Sequence, residues 1–106
     1  MYLWLDDQID DPNTPERHVP FGWIGAKTAL QACRIISKGK ITRISFDHDL
    51  GPRYAGDGYL VARFIERRAF FGIIPRIEWY IHSANPVGRK NIELAMKHAE
   101  SLWSRY

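Results

Sequence analysis

Short, mainly apolar runs along the chain end abruptly in ionisable or polar side chains. The runs are Met1 to Leu5, followed by Asp6-Asp7; Ile41 to Phe46, followed by Asp47-His48-Asp49; and Arg76 to His82, followed by Ser83-Ala84-Asn85. Runs of this length, rich in β-branched and aromatic residues, are typical of buried strands. We therefore predict strands that carry polar groups to their carboxyl ends, and a further short strand from Trp23 to Lys27.

Other segments place apolar residues at the spacing of one helix face. We predict that helices begin at Thr28, near Asp57, and at Asn85-Pro86, where Thr28 and Asn85 act as caps and Pro86 is a first-turn proline. Gly39 and Gly72 are predicted to end the first two helices. The predicted inward positions are Ala29, Ala32, Cys33 and Ile36 in the first helix, Leu60, Val61, Phe64 and Ile65 in a helix from about Tyr59 to Phe71, and Ile92, Ala95, Met96, Ala99 and Trp103 in the last.

The segment from Gln8 to Phe21 holds Pro12, Pro15 and Pro20, so we predict an irregular loop that forms a lid, a rim or a surface flap. The resulting order β, loop, β, α, β, α, β, α predicts a single α/β domain over residues 1–106. We expect a three-layer sandwich with a four-stranded, mostly parallel sheet in the order 2-1-3-4. Because parallel strands end at one edge, the polar groups should meet there.

Composition narrows the class of protein. An apolar fraction of 45% argues against disorder, and the single cysteine, Cys33, allows no internal disulfide and fits a reducing cytoplasm. No signal peptide is evident, and no apolar run approaches the roughly 20 residues that a membrane helix needs. We therefore expect a cytoplasmic protein with no membrane partner. The net charge of +3 is compatible with a nucleotide or RNA substrate but is not a nucleic-acid-binding signature.

The acidic residues at the strand ends suggest a metal site. Asp6, Asp7 and Asp47 should lie close together, and carboxylates that repel one another are usually held by a divalent cation with oxygen ligands, most often Mg²⁺. The alternative is that one or two of these carboxylates cap turns or helices.

Two histidines follow apolar runs on neighbouring strands. His48 and His82 have the residue type for general acid and general base roles in phosphodiester chemistry, and Asp49 would orient one of the two rings. The plainer interpretation is that each histidine is a hydrogen-bonded structural residue.

The start of the last helix suggests a phosphate site. Its free amides, together with Ser83, Asn85 and Arg89, could hold a phosphate group. The alternative is that Asn85 only caps the helix and that Arg89 is a solvated side chain.

The chain resembles the receiver domain of response regulators. Asp6-Asp7, Asp47 and Ser83-Ala84 match the acidic pair, the phosphorylated aspartate and the Ser/Thr-Ala pair that follow three strands of that fold. The fold implied is receiver-like, or flavodoxin-like. This sequence lacks the fifth strand with its lysine, and the proline-rich loop replaces the first helix, which weakens the case for phosphorylation of Asp47.

The chain resembles the cyclic-phosphate processing receiver domains more closely. The motifs that match this family, often encoded by phages and bacteria, are Leu3-Trp4-Leu5-Asp6-Asp7, Ile44 to Gly51 and His82-Ser83-Ala84-Asn85-Pro86-Val87-Gly88. The resemblance implies a phosphoesterase that acts on a cyclic phosphate, either a 2′,3′-cyclic RNA end or a cyclic nucleotide. The alternative is a non-catalytic module that binds or sequesters a protein or nucleotide, with Trp23, Tyr54, Phe70 and Phe71 as candidate aromatic anchors.

Overall fold

A computed structural model describes residues 1–105 of the chain. The strands are β1 (Tyr2–Leu5), β2 (Trp23–Ala26), β3 (Arg43–Phe46) and β4 (Glu78–Ile81), and the helices are α1 (Ala29–Ser37), α2 (Gly58–Phe70) and α3 (Pro86–Trp103). Two short 3-10 turns cover Pro15–Arg17 and Arg53–Ala55. The strands are slightly shorter than predicted, and each predicted strand and helix is present.

The strands form one parallel sheet in the order β2-β1-β3-β4, which confirms the predicted topology. Strand β1 therefore lies between β2 and β3, and its last residue, Leu5, pairs with Ala26 on one side and Phe46 on the other. All four strands point the same way, so their carboxyl ends share one edge.

The helices bury one face of this sheet. Leu3, Leu5, Ile44 and Phe46 are fully buried and alternate along β1 and β3 with residues of the opposite face. They form one core with the inward residues of the three helices, among which α2 packs against both α1 and α3. The predicted apolar face of α3 is buried along its whole length.

The long loop between β1 and β2 covers the opposite face. The indole Nε1 of Trp4 donates a hydrogen bond to the carbonyl oxygen of Arg17 at 3.0 Å. A Cβ on Gly25 of β2 would lie 2.6 Å from Cγ2 of Val19 and 2.9 Å from Cδ1 of Ile9, so this stretch of loop rests directly on the sheet. This loop thus forms the third layer, in the place of the first helix of the receiver fold, which the sequence predicted to be missing.

The predicted helix starts are confirmed. Side chains of Thr28, Asp57 and Asn85 accept hydrogen bonds from first-turn amides of α1, α2 and α3. One inward position was wrong: Leu60 is 54% exposed, because the buried stripe of α2 runs through Val61, Ala62, Ile65 and Ala69. Within residues 1–105, no helix is both long enough and apolar enough to cross a membrane.

Candidate functional site

The candidate site lies at the carboxyl edge of the sheet, where the ladder of hydrogen bonds extends one residue beyond the strands. The amides of Asp6, Asp47 and His82 donate to Ala26, Leu5 and Phe46 on the neighbouring strands, at 3.0, 2.9 and 2.9 Å. Because side chains alternate along a strand, these three residues continue the loop-covered face rather than the helix-covered face.

Asp6, Asp7 and Asp47 form an acidic cluster, defined here by these three carboxyl groups. One oxygen from each lies within 4.8 Å of the others. Asp6 is completely buried, Asp47 is 5% exposed, and Asp7 is half-buried. The pKa of Asp47 is raised to about 6, first by burial and next by the negative charge of Asp6, and the positive charge of Arg17 offsets these effects only in part. The cluster therefore favours a bound cation or proton.

Arg17 supplies a cation to the acidic cluster from the loop. Its Nη2 atom lies 2.7 Å from Asp6 Oδ1, 3.2 Å from Asp7 Oδ1 and 2.6 Å from Asp47 Oδ2, and its Nε donates to Asp6 Oδ2 at 2.8 Å. The hydrogen bond to Asp6 raises the pKa of Arg17 above its ordinary value. The sequence interpretation missed Arg17, and the only available signal was its position in an acidic, proline-rich loop.

His82 is held on several sides. Its ring stacks on the indole of Trp4, with centroids 4.0 Å apart and planes 6° apart. Ser45 Oγ lies 2.8 Å from Nδ1, and Asp6 Oδ2 lies 3.0 Å from Nε2. Burial lowers the pKa of His82 despite the carboxylate beside it, so the neutral ring dominates at pH 7. Since an ionised carboxylate only accepts, the proton belongs on Nε2, and Nδ1 accepts from the Ser45 hydroxyl.

His48 lies at a junction between helices and not on the cavity wall. Its Nδ1 is 2.9 Å from Asp49 Oδ1, as the predicted orienting role of Asp49 requires, and its Nε2 is 3.8 Å from Asp57 Oδ2. A Cβ on Gly88 would lie 2.2 Å from the imidazole Cγ, so the ring packs against the first turn of α3. The bond to His48 lowers the pKa of Asp49. The catalytic role of His48 stays a prediction.

A cavity of about 350 Å³ opens beside the acidic cluster. The strand-end residues Asp7, Asp47 and His82 line it together with Arg17. Ser83, Ala84 and Asn85, which lead into α3, also line it, and the remaining lining residues are Gln8, Asp49 and Gly51.

Of the residues predicted to hold phosphate, Ser83 and Asn85 line the cavity and Arg89 does not. Ser83 Oγ accepts from the Asn85 amide at 3.2 Å, and Asn85 Oδ1 accepts from the Gly88 amide at 3.0 Å, so both stabilise the turn that begins α3. Arg89 does not line the cavity: its Nη1 donates to the carbonyl oxygens of Ile81 and Ser83, at 2.9 and 3.2 Å. Arg89 thus supports the turn from behind.

The donor set of the acidic cluster fits a divalent cation. Carboxylate oxygens are the ligands that Mg²⁺ prefers, and the cluster gathers three of them around one point from β1 and β3. The predicted convergence of the strand ends therefore exists in space. Arg17 Nη2, which contacts all three carboxylates, marks this point as a position that attracts positive charge.

A protein-family model matches most of the chain. No curated protein and no solved structure matches the chain significantly. The model of the cyclic-phosphate processing receiver domain matches residues 1–98, which include every strand, the acidic cluster, the cavity and most of α3. Since this match spans most of the sequence, the chain belongs to the cyclic-phosphate processing receiver domain family.

Proposed function

We propose that the protein hydrolyses a cyclic phosphate ester, either a 2′,3′-cyclic RNA end or a cyclic nucleotide, at the cavity beside the acidic cluster. In this reaction a water oxygen bonds to phosphorus, one ring P–O bond breaks, and the released ring oxygen takes a proton. The observation that carries the proposal is the acidic cluster at the wall of a cavity that the residues leading into α3 also line, in a chain of this family. Free thiol Cys33 suits an activity in the cytoplasm.

Asp6, Asp7 and Asp47 would hold a divalent cation, most simply Mg²⁺. When bound, such a cation polarises a phosphoryl oxygen and lowers the pKa of coordinated water. The raised pKa of Asp47, about 6, supports this assignment because burying the carboxylates together costs free energy that a cation would offset.

The residues that lead into α3 would bind the phosphate. Ser83, Ala84 and Asn85 line the cavity, and the positive end of the helix dipole favours an anion there. Arg89 would act indirectly, since its bonds to Ile81 and Ser83 fix the position of this turn.

His82 would hold the mobile proton at Nε2. Stacking on Trp4 and the hydrogen bond from Ser45 fix the ring, and the cavity reaches its edge. The neutral imidazole can take a proton from the attacking water, and the imidazolium so formed can give a proton to the departing ring oxygen. His48 with Asp49 would serve as the second acid-base pair only if the ring turns from its junction toward the cavity.

A second candidate is a module that binds a nucleotide or protein without turnover. Arg17 favours it, because an arginine already neutralises part of the acidic cluster. Of the predicted aromatic anchors, Tyr54 and Phe71 are 90% and 64% exposed, whereas Trp23 packs against Tyr2 and Trp4.

The two candidates are separated by incubating the protein with 2′,3′-cyclic mononucleotides, RNA ending in a cyclic phosphate, and cyclic dinucleotides. Each mixture is run with Mg²⁺, with Mn²⁺ and with EDTA, and is read by chromatography and mass. If the protein is a hydrolase, one class of cyclic phosphate should be converted, only when a divalent cation is present, to a product heavier by one water molecule.

The binding module predicts a different result from the same mixtures. One ligand would co-purify with the protein and be recovered intact after long incubation. That outcome would replace the hydrolase by the second candidate.

A further inference from the structure

We propose that Arg17 and the divalent cation exchange places: the cation takes the position of Arg17 Nη2 among the carboxylates, and the released guanidinium binds the substrate phosphate. The inference rests on the cation site of the proposed function, and it assigns to Arg17 a substrate-binding role.

The geometry makes the two cations mutually exclusive. Nη2 lies 2.6 to 3.2 Å from one oxygen of Asp6, Asp7 and Asp47. A small divalent cation held by those carboxylates would stand about 2.0 to 2.6 Å from their oxygens. It would therefore fall at the position that Nη2 now fills, and two positive groups cannot share it.

The charges favour the exchange. Asp6, Asp7 and Asp47 carry up to three negative charges around a single positive charge from Arg17. A divalent cation supplies twice the charge of a guanidinium, so it neutralises the acidic cluster more completely. An anionic phosphate can then approach the same edge without meeting uncompensated carboxylates.

Arg17 can move its side chain without releasing the loop. The carbonyl oxygen of Arg17 accepts from Trp4 Nε1 at 3.0 Å, and its amide donates to Thr14 at 2.9 Å. These main-chain bonds tie the residue to the sheet independently of its guanidinium. The side chain is 28% exposed and already lines the cavity, so the displaced group stays beside the helix start.

The guanidinium has donors to offer a phosphate. Within residues 1–105, the hydrogen bonds and ion pairs of Arg17 use Nε and Nη2, and none uses Nη1. Once displaced, the planar fork can bind two phosphate oxygens at once, which a point charge such as lysine does not match.

The first test compares Mn²⁺ binding by the wild type, Arg17→Gln and the control Arg34→Gln, whose side chain is exposed on α1. Free Mn²⁺ is measured by electron paramagnetic resonance. If Arg17 fills the site for most of the time, removing it should tighten Mn²⁺ binding about ten-fold, because only the open fraction binds. Arg34→Gln should match the wild type.

The second test needs no loss of the arginine charge, so it stands even if Arg17→Gln does not fold. The Nε–H signal of Arg17 is followed by ¹⁵N NMR in the wild type and is assigned by its loss in Arg17→Lys. Saturating Mg²⁺ should shift this signal, and inorganic phosphate added afterwards should shift it again. The Trp4 indole signal should change little, since the main-chain bond persists.

Equal Mn²⁺ affinity in wild type and Arg17→Gln, with an Arg17 signal that ignores saturating Mg²⁺, would overturn the exchange and leave the proposed hydrolase standing. Absence of Mn²⁺ binding by every variant would overturn both the exchange and the cation of the proposed function. A response of Arg17 to Mg²⁺ but not to phosphate would overturn its substrate-binding role.

Discussion

Asp47 is a buried carboxyl group whose ionisation is opposed by its surroundings when no metal is bound. It lies at the end of β3, 5% exposed, with Asp6 and Asp7 beside it and Arg17 as its countercharge. Its pKa of about 6 lies above the ordinary value of 3.8, so the folded protein binds a proton there more tightly than the unfolded chain does. The free energy of unfolding should therefore fall as the pH rises from 3.8 to about 6.

Replacing Asp47 by Asn should stabilise the metal-free protein at high pH. Asn cannot ionise, so the variant avoids the loss, and its free energy of unfolding at pH 8 should exceed that of the wild type by about 2 to 3 kcal/mol, at 1.36 kcal/mol per pKa unit. The difference should become small near pH 3.5, where the wild-type carboxyl group is mostly protonated in both states. Urea unfolding in EDTA at both pH values measures it.

Asp49→Asn is the control with the opposite sign. The hydrogen bond from His48 lowers the pKa of Asp49, so this carboxylate contributes stability above its unfolded pKa and loses it as the pH falls. Asp49→Asn should thus be less stable than the wild type at pH 8. A destabilised Asp47→Asn at pH 8 would contradict the account of a strained acidic cluster.

At the residue scale, strand alternation was enough to place part of the site. Asp6, Asp47 and His82 each follow the last residue of a strand, and the alternation of side chains puts them on one face of the sheet. Trp4 and Ser45, two residues before Asp6 and Asp47, lie on the same face. Arg17 could not be placed in this way. It belongs to a loop without periodicity, and its contacts depend on how that loop folds over the sheet.

At the element scale, the loop between β1 and β2 covers the face of the sheet that a helix would otherwise cover. Ile9 and Val19 cover β2, and Arg17 reaches the strand ends from the same loop. Gly25 lets the loop come this close, because any Cβ at that position would meet side chains of the loop. Gly25 does not have a positive φ, so a glycine is needed there because it lacks a side chain and not because of its backbone conformation.

Gly25→Ala should therefore loosen the loop. The added methyl would lie 2.6 Å from Val19 Cγ2 and 2.9 Å from Ile9 Cδ1, and overpacking of this kind costs about 1 to 3 kcal/mol. Hydrogen exchange of loop amides should accelerate, whereas exchange in α2, on the other face, should not.

The double variant Gly25→Ala with Val19→Ala provides the matched control. Shortening Val19 removes the closest contact, so protection of the loop should return toward that of Val19→Ala alone. Wild-type protection in Gly25→Ala would show that the loop does not rest on β2 as described.

Helices and strands were predictable where local signals were strong. Thr28, Asp57 and Asn85 cap helices as their positions before apolar stripes indicated, and the stripe of α3 is buried throughout. Leu60 failed because periodicity identifies a stripe only to within about one residue. Small residues at positions 62 and 69 of α2 mark the side that packs closely, and they gave a weaker hydrophobic signal than Leu60.

At the scale of the whole molecule, a parallel sheet gathers residues that are distant in sequence. Asp6, Asp47 and His82 meet because β1, β3 and β4 are adjacent and end at one edge. The order of strands followed from the right-handed crossovers that short α/β connections adopt. Topology therefore fixed the place of the site, and the loop determined its charge balance.

The proposed hydrolysis of a cyclic phosphate rests on the family and the site together, and in this proposal His82 is the group on which the chemistry depends most. His98 offers a matched control, since it is an exposed histidine on α3 that bonds Glu66 on α2. Both rings can be removed without deleting a core residue.

The most direct measurement follows the cyclic phosphate by ³¹P NMR with Mg²⁺ and 2′,3′-cyclic mononucleotides or RNA carrying a cyclic end. The wild type and His98→Ala should convert one of these to a phosphomonoester at equal rates. His82→Ala should be slower by about 100-fold or more, in line with the loss of a general acid or base, and its unfolding curve should show a folded protein. Equal rates in His82→Ala and wild type, or no conversion by the wild type, would contradict the account.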